Sequence, residues 1–398
     1  MSEKILVIDD DELVLMRADY LLSGFGYETC TIAESTSIID QIQKCKPDLV
    51  LLDLHMPGAN GIVVLEELRS SARYKDLPVI IMTGNADETT HDICFDMGAS
   101  DILLKPLEAH ILRPRVKSAL DRKRFLREIR KKNEEIEQQN KDILEGIRYG
   151  QTIQQALLVD REKVHELLPQ SFIFFKPRHL VSGDFYWVSE VDDKIYVAAI
   201  DCTGHGVPGA FMSMLGYALM NQLIHVEQYT DPADILNGLH YNVRKSLKQD
   251  EKRNNDGMDM GICVIDKTHG TLSYAGAYNI LLVVSAEGST TIDGDKFPVG
   301  GMHHRFKGER NFASTTIPIH KDSRYYMYTD GFPDQFGGEN GRKFMKKYLH
   351  QLLESMFALP LEQQQQELAR TLEEWRGQHP QIDDVLVMGF SLDDFALQ

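Results

Sequence analysis

The 398-residue chain has 42% hydrophobic and 26% charged residues and a formal net charge of -17 at pH 7, the balance of a globular protein long enough for two or three domains. Such acidity disfavours nucleic acid as the main partner, because phosphate backbones are bound by basic surfaces. No apolar run approaches the roughly 20 residues that span a bilayer. The opening residues enter a strand directly, without the basic and apolar regions of a signal peptide. Five scattered cysteines form no CxxC pair and no zinc-like spacing. A reduced, cytoplasmic location without membrane contact is expected.

From Lys4 to about Leu120, short apolar strands alternate with amphipathic helical stretches: Ile5 to Ile8, Tyr27 to Ile32, Leu49 to Leu52, Val79 to Met82 and Ile102 to Leu104. Five strands alternating with helices predict a doubly wound, five-stranded parallel sheet, with ligands beyond the carboxyl ends of the strands. Asp9 and Asp10, Asp53, Thr83 and Lys105 each fall just after one of those strands.

From about Asp121 to Gln151 the chain is densely charged and helical in pattern. Leu126, Asn133, Asn140 and Ile147 recur every seven residues, and Ile129, Ile136 and Ile143 form a second series three positions later. This reads as a coiled-coil seam, its two asparagines fixing the register of a parallel two-stranded pairing. A single solvated helix is the alternative. The basic run from Arg113 to Lys132 lacks interleaved aromatics apart from Phe125 and reads as a solvated helix face. Pro114 predicts that the preceding helix bends or restarts there.

Globular composition resumes near Leu167. Strands are predicted at Lys194 to Ile200, Met260 to Ile265, Ile280 to Val284, Arg324 to Tyr328 and Val385 to Phe390, and helices at Gly209 to Val226, Pro232 to Gln249 and Leu361 to Gly377. Strands arriving in groups between helices predict an α+β sandwich.

Two carboxylate sets carry the chemistry. A phosphoryl group entering a carboxylate needs an in-line acceptor, a divalent cation over its oxygens and a fixed cation to hold the product. Asp53 at a strand tip, hard oxygen ligands from Asp9 and Asp10, the Lys105 ammonium and the Thr83 hydroxyl supply those parts. The second set is Ser-Gly-Asp184-Phe-Tyr-Trp, Ile-Asp201-Cys-Thr-Gly-His-Gly, Tyr-Thr-Asp330-Gly-Phe and Gln-Ile-Asp383-Asp-Val. Carboxylates at strand ends beside glycines suit a two-metal site that hydrolyses a phosphate ester without a side-chain nucleophile. Asp-Gly pairs are also common turns. His205 reads as a loop residue near the site. Asp193, Asp256, Asp259 and Asp334 read as surface or turn residues, with Asp334 close enough to Asp330 to support it.

Ile-Asp-Asp at 8 to 10, Leu-Asp-Leu-His-Met-Pro-Gly at 52 to 58, Met-Thr-Gly at 82 to 84 and Leu-Lys-Pro at 104 to 106 resemble a response-regulator receiver domain over about residues 2 to 121. The resemblance implies a flavodoxin-like fold in which Asp53 is the phosphoacceptor and Asp10 and Asp53 bind Mg²⁺ with the His55 carbonyl, assisted by Asp9. Receivers often carry an aromatic switch residue three before the lysine, where this chain has Ile102. The four acidic motifs of the second half resemble the metal-dependent protein phosphatase 2C family over about residues 150 to 398. The similar branch includes the sporulation stage II phosphatase and stress-response sigma-regulating phosphatases. That resemblance implies a four-layer αββα sandwich in which Asp184 and Asp201 bridge two Mn²⁺ or Mg²⁺ ions, the Cys202 carbonyl adds a ligand, and Asp330 and Asp383 complete one metal's sphere. Asp384 stands where many relatives have asparagine.

The expected organisation is a receiver at 1–121, a helical coiled-coil linker at 122–160 and a serine/threonine phosphatase domain at 161–398. Phosphorylation of Asp53 by a sensor histidine kinase or phosphotransfer protein is expected to control the phosphatase through a parallel homodimeric linker. By resemblance the substrate is a phosphorylated anti-sigma-factor antagonist. The rival expectation is a non-catalytic adaptor binding a sigma factor or its regulators under receiver control.

Overall fold

Alternation of buried side chains along each strand explains the architecture. In a computed structural model, which describes residues 2–33, 38–84, 88–158, 160–251, 254–301 and 311–396, the chain divides into two units, Met1–Lys141 and Asp142–Gln398. The division lies inside the stretch that the sequence assigns to the linker.

The first unit contains β1 (Lys4–Ile8), α1 (Glu12–Gly24), β2 (Glu28–Ile32), α2 (Ile38–Cys45) and β3 (Leu49–Asp53). A small hairpin, β4 (His55–Met56) and β5 (Ala59–Asn60), leads to α3 (Gly61–Ser70), β6 (Val79–Thr83), α4 (Glu88–Asp96), β7 (Asp101–Leu104) and α5 (Ala109–Leu157). The five long strands form a parallel sheet of order β2-β1-β3-β6-β7. Because successive side chains point to opposite faces, Ile5, Val7, Leu49 and Leu51 pack under α1 and the start of α5, while Leu6, Ile8, Val50 and Leu52 pack under α2 and α3. Both faces are covered, so these strands read as unbroken apolar runs. The Asp11 carboxylate caps α1 by accepting from Leu13 N at 2.8 Å.

Helix α5 is 49 residues long and runs through Pro114 without interruption. Pro114 is the sixth residue of the helix, past its first turn, so the ladder forgoes one N–H donor there and the helix continues. Leu112, Val116, Ala119 and Leu120 bury the first part of α5 against the sheet. The later seam residues Leu126, Ile129, Ile136 and Ile143 are half or more exposed in the single chain (50%, 54%, 53% and 59%).

The second unit continues with α6 (Arg161–Leu167), β8 (Ser171–Lys176), β9 (Phe185–Val191), β10 (Lys194–Cys202), α7 (Gly206–Asn221, extended by a π-helical turn to Val226) and α8 (Pro232–Ser246). Then come β11 (Gly257–Asp266), β12 (Thr271–Ala277), β13 (Ile280–Ser285), β14 (Gly288–Asp293), β15 (Val299–Gly300), β16 (Thr315–Pro318) and β17 (Arg324–Tyr328). The chain closes with α9 (Gly331–Asp334), β18 (Phe336–Gly337), β19 (Arg342–Lys343), α10 (Lys346–Ser355), α11 (Leu361–Arg376) and β20 (Val385–Ser391). One antiparallel sheet runs β16-β12-β11-β10-β9 and the other β14-β13-β17-β20-β8.

Strand β10 shows why four layers form. Tyr196, Ala198, Ile200 and Cys202 face α7 and α8, whereas Ile195, Val197 and Ala199 face the other sheet. Val385 and Val387 of β20 likewise face α10 and α11, while Leu386, Met388 and Phe390 complete the inter-sheet core. The expected αββα sandwich is therefore present, with three apolar interfaces. No helix among the described residues is long and apolar enough to cross a membrane.

Candidate phosphoacceptor and metal sites

The parallel sheet delivers its first acid set to one edge. Asp9 and Asp10 follow β1, Asp53 ends β3, Thr83 ends β6 and Lys105 follows β7. The Lys105 Nζ lies 2.7 Å from Asp9 Oδ2 and 2.8 Å from Asp53 Oδ1. Asp9, Asp53 and Thr83 are buried and Asp10 is exposed. Each of Asp9, Asp10 and Asp53 offers a carboxylate oxygen within 4.8 Å of the others, a spacing that fits a single hard cation. Burial raises the Asp9 carboxyl above its ordinary value, opposed by the hydrogen bond with Lys105. Burial pulls the Lys105 ammonium down, but its hydrogen bonds to Asp53 and Asp9 outweigh that and the net direction is up.

Backbone bonds hold this geometry. Leu54 N donates to Met82 O at 2.9 Å, and Lys105 N donates to Thr83 O at 2.8 Å, so three strand ends are tied together. A Cβ on Gly61 would stand 2.4 Å from Asp53 O, which explains the glycine after the hairpin. Ile102 is half-buried against the β1/β3/β6 face, and its residue type leaves Thr83 without an aromatic neighbour at that position.

The second set gathers where the two antiparallel sheets meet α7 and α9. Asp184 immediately precedes β9, Asp201 is the penultimate residue of β10, Asp330 opens α9 and Asp383 lies just before β20. Asp184 is buried, Asp201 and Asp383 are half-buried, and Asp330 is exposed. Burial first, then the charge of Asp201, pushes Asp184 well above the usual carboxylate range. Asp201 is pushed well up by burial and then by Asp330, Asp259 and Asp383, and it hydrogen-bonds with Asp184. Asp330 also moves up, through burial and Asp383. The Asp184 Oδ2 is buried without a hydrogen-bond partner. An orphaned carboxylate oxygen amid like charges is the donor set a divalent cation satisfies. Among the described residues only the first trio has three donor atoms within 4.8 Å. The second set is more widely spread, which suits more than one ion.

Asp259, expected at the surface, belongs in this cleft. It sits on β11 directly opposite Asp201 in the ladder and lines a cavity of about 280 Å³ with Asp201, Asn279, Thr329, Asp330 and Lys346. Burial and Asp330 raise it to about 6. Directly opposed like charges destabilise a sheet, and an acid between two methionines in a strand was the signal available in the sequence. Asp334 instead pairs with Lys343 Nζ at 2.6 Å. Asp193 accepts at its carbonyl from Lys267 N in the turn after β9, as expected of a surface residue.

Asp384 anchors the site. Its Oδ1 accepts from Arg178 N at 2.7 Å and its Oδ2 from Gly183 N at 2.8 Å, fixing the loop before Asp184. A Cβ on Gly183 would stand 2.4 Å from Gly204 O and 3.2 Å from Cys202 O, so the Asp184 and Asp201 loops pack backbone to backbone. His205 is exposed, its ring 5.0 Å from that of His179.

Gln154, near the end of α5, carries no sequence signal but is buried in this region. Its Nε2 donates to Ser182 O at 2.7 Å and to Ser213 Oγ at 2.8 Å, and its Oε1 accepts from Ser182 N at 3.1 Å. One side chain of the linker helix thus grips both the Asp184 loop and α7.

The Stage II sporulation protein E (SpoIIE) family matches residues 191–393, just over half of the chain. The chain belongs to that family. The Response regulator receiver domain family matches residues 5–117. The chain is similar to the SiaA-PP2C domain of Pseudomonas aeruginosa, with 32% identity and a TM-score of 0.57, covering 64% of this chain and 98% of that one. The DNA-binding response regulator MtrA of Mycobacterium tuberculosis is 34% identical over 122 residues, 31% of this chain and 52% of its own length. The alkaline phosphatase synthesis transcriptional regulatory protein PhoP of Bacillus subtilis is 31% identical over 122 residues, 31% of this chain and 50% of its own. The chain spans about half the length of these curated relatives. This SpoIIE-family chain thus joins a receiver domain to a serine/threonine protein phosphatase domain of the PP2C type.

Proposed function

We propose that the protein is a two-component response regulator in which phosphorylation of Asp53 controls a metal-dependent phosphoserine/phosphothreonine protein phosphatase. The observation that carries the regulatory part is Gln154: the helix leaving the receiver ends in hydrogen bonds to the Asp184 loop and to α7. A shift of α5 moves two elements that set the positions of Asp184 and Asp201.

In the receiver, Asp53 is the acceptor. Asp9, Asp10 and Asp53 hold Mg²⁺, Lys105 keeps its charge on the phosphoryl oxygens, and Thr83 offers them its hydroxyl. In the phosphatase, Asp184, Asp201, Asp330 and Asp383 with the Cys202 carbonyl would hold two Mn²⁺ or Mg²⁺ ions. Divalent ions there supply Lewis acidity and a more acidic water. Asp384 keeps the Asp184 loop in place, and Asp259 with Lys346 sets the charge at the cleft wall.

The seam Leu126 to Ile147 pairs with a second copy as a parallel coiled coil, which would cover its exposed isoleucines. A sensor histidine kinase or phosphotransfer protein supplies the phosphoryl group, and a phosphorylated anti-sigma-factor antagonist is the substrate class that family resemblance favours. Five free cysteines accord with a cytoplasmic location.

The test is Mn²⁺-dependent hydrolysis of a phosphoserine antagonist protein with and without beryllofluoride, in wild type and Asp53→Asn. A rate that responds to beryllofluoride only in wild type is expected. Equal rates remove the regulatory claim, and absence of turnover with retained metal binding favours the adaptor.

A further inference from the structure

Four of the ten cations in the basic run of α5 pair with carboxylates of the receiver. Arg115 pairs with Asp101 at 2.8 Å, Lys123 with Asp48 at 2.9 Å, Arg124 with Glu3 at 2.9 Å and Arg130 with Asp76 at 2.5 Å. A duplex-binding stripe needs free cations, and these are committed to the chain's own carboxylates.

A cavity of about 440 Å³ opens between α5 and two receiver loops, 46–48 and 73–77. Lys123, Leu126, Arg127 and Arg130 line it from the helix, positions spaced to share one helical face. Both lining carboxylates, Asp48 and Asp76, already have cationic partners. Among the described residues, Lys46, Arg73 and Arg127 have no carboxylate within ion-pair distance, although all three line the cavity. In a chain with a formal charge of -17, five lining cations (Lys46, Arg73, Lys123, Arg127 and Arg130) against two carboxylates run against the overall balance. The Arg73 guanidinium lies 5.4 Å from the Tyr74 ring centroid, and the Tyr74 hydroxyl is buried without a hydrogen-bond partner. Ile42, Pro47, Leu77 and Leu126 supply an apolar wall. Small-molecule sites of about 300 to 1,000 Å³ combine such walls with a few convergent polar groups.

We propose that this cavity binds a small diphosphate-bearing molecule. The excess of three cations over carboxylates in its lining matches the roughly threefold negative charge of a diphosphate, arginine forks suit its oxygens, and the apolar wall with Tyr74 suits an attached nucleoside. The ligand bridges Lys46 and Arg73 of the receiver loops to Arg127 of the helix. It thereby fastens α5 to the receiver loops.

Calorimetric titration of the full-length chain tests this, with GDP and inorganic pyrophosphate as probes and excess EDTA to silence the carboxylate sites. Binding of at least one probe is expected, weakening with added salt and falling about tenfold in each of Arg73→Gln and Arg127→Gln, the loss of one charge-assisted contact. Tighter binding of GDP than of pyrophosphate assigns contacts to the nucleoside, and equal affinity assigns recognition to the diphosphate alone. Far-ultraviolet circular dichroism and labelling of Asp53 by a small phosphodonor confirm that the variants fold. No binding of either probe, or binding unchanged in both folded variants, overturns the proposal.

Discussion

The two acid sites solve the same electrostatic problem in opposite ways. In the receiver, Lys105 stands within 2.8 Å of both Asp9 and Asp53, so the buried carboxylates are largely compensated before any ion arrives. In the phosphatase, Asp184, Asp201, Asp259 and Asp330 are all shifted upward, chiefly by burial and by one another. Lys346 reaches that cavity and eases Asp259 and Asp330, but it does not cancel the set. The difference matches the chemistry. In the proposed roles, the acceptor site would use its resident ammonium to hold the phosphoryl oxygens, whereas the hydrolytic site would rely on bound cations to offset its acids.

The largest expected effect breaks the second site. Asp201→Asn should lower kcat/KM for a phosphoserine peptide by about a thousandfold, several kcal/mol of transition-state stabilisation. Labelling of Asp53 should be untouched, as checked by intact-protein mass spectrometry. Activity within tenfold of wild type would show that the cleft is not the catalytic centre.

Next, Lys105→Met should make the first site resemble the second. Removing one partner of a buried pair costs about 3 kcal/mol, read by denaturant unfolding of the receiver, and Mg²⁺ should then stabilise the variant more than it does wild type. Equal Mg²⁺ responses would mean that Lys105 does not set the charge of the site.

Gln154→Ala should cost about 2 kcal/mol by stranding Ser182 N, while the Ser182 carbonyl keeps its bond from Ser213 Oγ. Its informative readout is the ratio of activities with and without beryllofluoride, which should fall toward one. A purely structural role would lower both activities and leave the ratio intact.

The smallest effect is on pH. Asp259 is raised from its ordinary value to about 6, so its contribution to stability is fully present below the unfolded carboxylate range near 4 and is lost as pH rises through about 6. In EDTA the melting temperature should therefore fall across that window, Mn²⁺ should remove the fall, and Asp259→Asn should flatten it. A slope unchanged in Asp259→Asn would place the titration elsewhere.

Most of the first site was legible because each of its residues ends a strand, and a parallel sheet sends all carboxyl ends to one edge. The four acids of the second site were legible because each sits in a short motif beside glycine or before a strand. Asp259 was not, since a single acid in a strand shows its importance only once Asp201 is seen opposite it. Gln154 was equally hidden: one glutamine in a polar helix has no pattern, and its burial arises from the packing of α5 onto the Ser182 loop and α7.

Local patterning by itself determined the order of elements, the parallel and sandwich architectures, the heptad stripe and the strand-end carboxylates, because period, turn residues and motif spacing are properties of neighbours along the chain. The tertiary structure alone decided which charges meet. It paired four cations of the basic run of α5 with Glu3, Asp48, Asp76 and Asp101, placed Lys46, Arg73 and Arg127 around one cavity, and set Asp259 against Asp201. Coulombic partners are chosen by distance in space, and residues far apart in sequence come within that distance only when the chain folds.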